Sequence, residues 1–104
     1  MYDNESAKIA LSADGELVPA VAGKRIVVFG YVLVNNVATA QSASFQSAAT
    51  DLTGVMGLPS SIGGGISAHA AKDRCLFKTA EGEALNLNLT AATAVAGHLY
   101  YAYK

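Results

Sequence analysis

Ala84-Leu85-Asn86-Leu87-Asn88-Leu89 alternates leucine with asparagine without a break. On an extended chain successive side chains point to opposite faces, so the three leucines share one face and the two amides the other. A helix would scatter both sets around its circumference, so the period of two predicts a strand with one buried and one wet face. Working outward, Ala94 to Tyr103 repeats the pattern. Val95, Leu99, Tyr101 and Tyr103 fall on one side, and His98, Tyr100 and several alanines on the other. Arg25 to Val34 is rich in β-branched and aromatic residues on both parities. Val27, Phe29, Tyr31 and Leu33 oppose Ile26, Val28, Val32 and Val34, which predicts a strand covered on both sides. In a two-layer sandwich only one face meets the other sheet, so the second face is expected to be covered by a loop, an arm or a neighbouring subunit, of which the subunit is favoured.

Shorter strands are predicted at Ala7 to Leu11, Glu16 to Val21, Thr39 to Ala48, Ile66 to Ala71 and Cys75 to Thr79, each bounded by turn residues. The Asp14-Gly15 pair between two of them reads as a hairpin signal. Asp51-Leu52-Thr53-Gly54 and Glu81-Gly82-Glu83 read as turns, and Leu58 to Gly65, with three consecutive glycines, as a loop. No stretch carries a convincing apolar stripe at helical spacing. Eight short strands with this spacing predict an all-β fold, a single antiparallel β-sandwich of jelly-roll type. Residues 7–104 form the sandwich and Met1 to Ser6 a polar N-terminal arm, with no linker, second domain or internal repeat.

The 104 residues are 52% apolar and 14% charged, against about 25% charged in an average soluble domain. Disorder is excluded by this composition. Area scaling allows a folded chain of 10.6 kDa about 5,500 Å² of surface. So apolar a composition is expected to hide more than that through subunit contacts. Seven basic residues balance eight acidic ones with no basic run, which argues against nucleic-acid binding. The longest apolar run, Ile26 to Val34, has nine residues, whereas a membrane helix needs about 20. The first six residues lack the basic-then-apolar succession of a signal peptide, and the lone Cys75 forms no internal disulfide. Synthesis in the cytoplasm, with no membrane partner, is expected.

No residue pattern announces a reaction. Gly63-Gly64-Gly65 lacks the Gly-Lys-Ser/Thr that completes a phosphate loop. His69, Asp73, Cys75 and His98 are ligand types at spacings that match no zinc pattern. None of the eight serines sits in a Gly-x-Ser-x-Gly elbow, and Glu81 and Glu83 read as a solvated turn. The Asn4-Glu5-Ser6 and Asn88-Leu89-Thr90 glycosylation motifs carry no weight outside the secretory route. Neither a metal, a cofactor nor a catalytic set is expected. Tyr100, Tyr101 and Tyr103 suggest a sugar-stacking platform, but alternation separates Tyr100 from the other two.

The order of segments is more informative. Ala22-Gly23-Lys24-Arg25 runs into IVVFGYVLV, and Ser44-Phe45-Gln46-Ser47 leads to Asp51-Leu52-Thr53-Gly54. After the glycine loop come Leu76-Phe77-Lys78-Thr79-Ala80-Glu81-Gly82-Glu83-Ala84-Leu85-Asn86-Leu87 and a closing Val95-Ala96-Gly97-His98-Leu99-Tyr100. From Val21 to Tyr103 this series resembles small all-β virion proteins of tailed bacteriophages, in particular capsid decoration (cement) proteins and head-fibre knobs. The resemblance implies a non-enzymatic homotrimer that binds the major capsid protein on the outside of the head and clamps neighbouring subunits. Candidate contact residues are Tyr2 and Asp3 in the arm, Ile26, Val28, Val32 and Val34 on the doubly apolar strand, and His98 and Tyr100 on the closing strand. The alternative is a receptor- or glycan-binding tip of a head or tail fibre, with Tyr100 and Asn86 or Asn88 supplying the sugar contacts, or another tail or neck component.

Overall fold

Leu85 and Leu87 are fully buried and Leu89 nearly so, while Asn86 and Asn88 between them are half exposed, as the alternation requires. The structure, a computed structural model, describes residues 5–60, 62–70 and 74–104. Ten strands are described: β1 (Glu5–Leu11), β2 (Gly15–Val18), β3 (Ile26–Asn35), β4 (Gln41–Ser47), β5 (Thr50–Asp51), β6 (Met56–Leu58), β7 (Gly64–His69), β8 (Phe77–Lys78), β9 (Leu85–Leu89) and β10 (Val95–Tyr103). They form two antiparallel sheets. One has the order β1-β10-β3-β7, with β8 also on β3, and the other β2-β9-β4-β5, with β6 also on β4. The two strands beyond the eight expected, β5 and β6, are short pieces hydrogen-bonded to opposite ends of β4.

Several boundaries differ from the sequence reading. β1 begins at Glu5, which pairs with Tyr101, so Glu5 and Ser6 belong to the sheet and not to an arm. The rest of the expected arm lies outside the described residues. Gly64 and Gly65 of the expected loop are in β7, where Gly65 lies against the Leu33 carbonyl, too close for a side chain. The Asp14-Gly15 turn makes no hairpin, because β1 pairs with β10 and β2 with β9 in the other sheet. Asp14 instead reaches across, its carboxylate accepting a 2.6 Å hydrogen bond from the Leu89 N–H.

The double apolar parity of β3 has a local cause. Tyr100 lies opposite Gly30, but Tyr101 lies opposite Val28, so Phe29 is an extra residue in β3. Such a bulge changes which side chains face inward. Ile26 and Val28 point into the core before it, and Tyr31, Leu33 and Asn35 after it. Ile26 and Val28, expected beside Val32 and Val34 on one face, are thus on the opposite face and 0% exposed.

The core lies between the sheets. Phe45 sits at its centre, with the Tyr31 and Phe77 ring centroids each 4.9 Å from its own. The Tyr31 hydroxyl donates to the Met56 sulfur at 3.2 Å. The accessible surface, 5493 Å², equals that of an ordinary compact chain of this mass, about 5,500 Å². One sandwich therefore buries no more than its size allows, and the remaining apolar side chains come to its surface.

Candidate functional site

Tyr100, one of the four exposed large apolar side chains among the described residues, is on the outer face of the β1-β10-β3-β7 sheet with the half-buried Val32 and Val34. The strand registers lay its outward residues in rows across four strands. One row is Ala10, Ala96, Val34 and Gly65, the next Lys8, His98, Val32 and Ser67, and the third Ser6, Tyr100, Gly30 and His69. Among these twelve positions Lys8 is the only Lys, Arg, Asp or Glu. Val32 and Val34 are half-buried, and Tyr100 is 41% exposed. The His98 and Tyr100 rings meet edge to face at 5.3 Å.

The bulge shapes this face. A side chain on Gly30 would press on the His69 ring and the Ala68 carbonyl, so glycine lets the imidazole lie across β3. Beside it a depression of about 330 Å³ is lined by Tyr31, Val32, Ser67, Ala68, His69 and Tyr100. His69 Nδ1 is 2.8 Å from the Ala70 carbonyl oxygen, a pure acceptor, so that nitrogen is the donor of the pair.

The other sheet presents the opposite chemistry. Glu16, Asn86, Gln46 and Asp51 form an outward row across β2, β9, β4 and β5. Its groups partner one another or the chain: Gln46 donates to Asp51 at 2.8 Å, and Asn86 donates to the Ala48 carbonyl at 2.9 Å. One outer face is thus polar and acidic, and the other carries basic groups at its margins, Lys8 on β1 and Lys78 and Lys104 beyond the bulge.

Of the predicted contact residues, Val32, Val34, His98 and Tyr100 are brought together on the outer face of the β1-β10-β3-β7 sheet. Ile26 and Val28 leave the candidate surface for the core, and Tyr2 and Asp3 lie outside the described residues. Tyr100 is on the outer face of one sheet and Asn86 and Asn88 on that of the other, so they form no common sugar site. His69 and His98 share a face, Asp73 lies outside the described residues, and among the described residues no three of His, Cys, Asp and Glu come together. Glu83 is not simply solvated: its carboxylate accepts from the buried Ser47 hydroxyl at 2.5 Å, which itself accepts from the Ala80 N–H.

Two buried amides escaped the sequence reading. The Gln41 oxygen accepts from the Ser42 and Ala91 N–H groups, both at 3.0 Å, and its nitrogen donates to the Ala91 carbonyl at 2.7 Å and the Thr93 hydroxyl at 2.9 Å. Asn35 donates to the Thr39 and Pro59 carbonyls, both at 2.9 Å. Together they fix the loops at one end of the sandwich, a role signalled in sequence only by amides at the ends of apolar strands. Also missed were Val55, 59% exposed, and Ile62, 74% exposed, on the connections flanking β6.

No family model matches the chain, and no curated protein does. Among solved structures it is similar to the cryo-EM structure of the giant freshwater prawn Macrobrachium rosenbergii extra small virus VLP, with 10% identity, coverage of 100% of this chain and 82% of that one, and a TM-score of 0.39. A likeness that distant carries no argument about fold or function.

Proposed function

We propose that this chain is a non-enzymatic virion structural protein, a jelly-roll subunit that assembles as a homotrimer and decorates the outside of a tailed-phage head. There it binds the major capsid protein and stabilises contacts between capsid subunits. The observation that carries this reading is the outer face of the β1-β10-β3-β7 sheet, where Val32, Val34, Ala96 and Tyr100 present apolar area, with Lys8 at one margin and Lys78 and Lys104 beyond the bulge. A face of this kind on a small domain is a protein contact surface by physical preference, since its burial releases water without stranding charges. The strand orders support the jelly-roll part. With β5 and β6 counted as one broken strand and β7 and β8 as another, eight strands pair first with last, second with seventh and third with eighth, four in each sheet. A trimer also multiplies a weak contact by engaging three equivalent capsid sites together.

The test is mass in solution followed by binding. Light scattering should give three copies of 10.6 kDa, about 32 kDa. Val32→Asp combined with Val34→Asp should yield a folded monomer that no longer co-sediments with decoration-free heads. A wild-type monomer at every concentration would remove the trimer, and a trimer that never sediments with heads would remove the capsid assignment.

A further inference from the structure

We infer that the outer face of the β1-β10-β3-β7 sheet of one copy receives the β6–β7 edge of the next, in a head-to-tail contact that closes a ring. The inference rests on the trimer reading and names the surface that completes it.

The sandwich has two lateral edges of different chemistry. On one side β1 and β2 end their sheets and carry Glu5, Lys8 and Glu16, with Asp14 in the turn between them. On the other side β7 and β8 end one sheet and β5 and β6 the other; Asp51 of β5 and Lys78 of β8 lie toward one end, and β6 contacts β7 at the other. From Leu52 to Ala70, the stretch that forms the β6–β7 part of this edge, the sequence has no Asp, Glu, Lys or Arg. It also carries Val55 and Ile62, the two most exposed large apolar side chains among the described residues.

The apolar face and the apolar edge are different surfaces of one molecule. A two-fold contact of face on face would bury Tyr100 and Val32 but leave Val55 and Ile62 in water. A contact of edge on face buries both sets, and each copy then offers one of each. Contacts between unlike surfaces generate rings when the rotation closes. The β1–β2 edge carries Glu5, Lys8, Asp14 and Glu16, so seating it on a neighbouring copy would desolvate more charge than seating the β6–β7 edge. The face also has a depression of about 330 Å³, lined in part by Tyr100, Val32 and His69, that can take a projecting side chain. The small residues of β7, Gly64, Gly65, Ser67 and Ala68, allow close approach of its backbone.

The test is cross-linking with a short bismaleimide in a Cys75→Ser background, so that only placed cysteines react. Ile62→Cys and His98→Cys are made singly and together, and circular dichroism and light scattering check each variant for fold and mass. The double variant should give a covalent trimer of about 32 kDa on denaturing gels, and each single variant should stay at 10.6 kDa. Cross-linking of either single variant as efficient as that of the double would mean a contact of like surfaces and overturn the inference. A wild-type trimer in which the double variant gives no cross-link would overturn it too, with the trimer reading intact. A wild-type monomer would instead remove the reading beneath it.

Discussion

A β-carbon on Gly97 would collide with the carbonyl oxygen of Val32 on the neighbouring strand. Gly97 also has a φ of 148°, which side-chain-bearing residues rarely adopt. Its place in the middle of β10, between β1 and β3, leaves no room for either strand to yield. Gly97→Ala should therefore destabilise the fold by about 3 kcal/mol, through overlap and backbone strain together. Denaturant unfolding checks this, and a loss below about 0.5 kcal/mol would show that the strands separate without penalty.

Where a strand keeps strict alternation, as in Leu85 to Leu89 or Val95 to Tyr103, its inward face was legible, because the period of two follows from backbone geometry alone. In β3 it was not. The bulge at Phe29 exchanges the parities, and a stretch apolar at every position reads identically with or without it. Which sheet each strand joins was also beyond local reading: Asp14-Gly15 has hairpin chemistry, yet its strands part to opposite layers, β1 beside β10 and β2 beside β9. The four surface candidates that came together, Val32, Val34, His98 and Tyr100, lie beyond the bulge or on the regular strand facing it. Ile26 and Val28, before the bulge, were misplaced for the same reason.

Gln41 is a single side chain holding a loop. Replacing it with leucine leaves the half-buried Ala91 N–H and carbonyl without their partners, and each unsatisfied group costs about 1–3 kcal/mol where water does not reach it. Gln41→Leu should lower stability by about 2–3 kcal/mol and raise amide hydrogen exchange at Ala91 and its neighbours while β9 and β10 stay protected. Unchanged exchange in the loop would mean that backbone contacts alone hold it.

Phe45 touches both Tyr31 and Phe77 and is wholly buried, so truncation leaves a void that the two facing sheets cannot close. Phe45→Ala should cost about 3–5 kcal/mol, and Phe45→Leu markedly less because most of the volume remains. Equal losses for both would locate the stabilisation in ring geometry and not in filled volume.

Three tyrosines link the fold to alkaline pH. Burial raises the ionisation of Tyr31, Tyr101 and Tyr103 above the usual value near 10, and the Glu5 carboxylate adds to the shift at Tyr101 and Tyr103. The unfolded chain then gives up these protons at lower pH than the folded one, so in alkali the unfolded state binds fewer. Their contribution to stability is fully present below about pH 10 and falls as pH rises through the folded values. Titration by phenolate absorbance should show late-ionising tyrosines whose appearance coincides with loss of the near-ultraviolet dichroism of the folded core. Glu5→Gln removes a negative charge beside two of them and should move their ionisation downward, leaving Tyr31 unchanged. A titration unmoved by Glu5→Gln would leave desolvation as the main cause, with Tyr103 acting on Tyr101 and Glu16 on Tyr103.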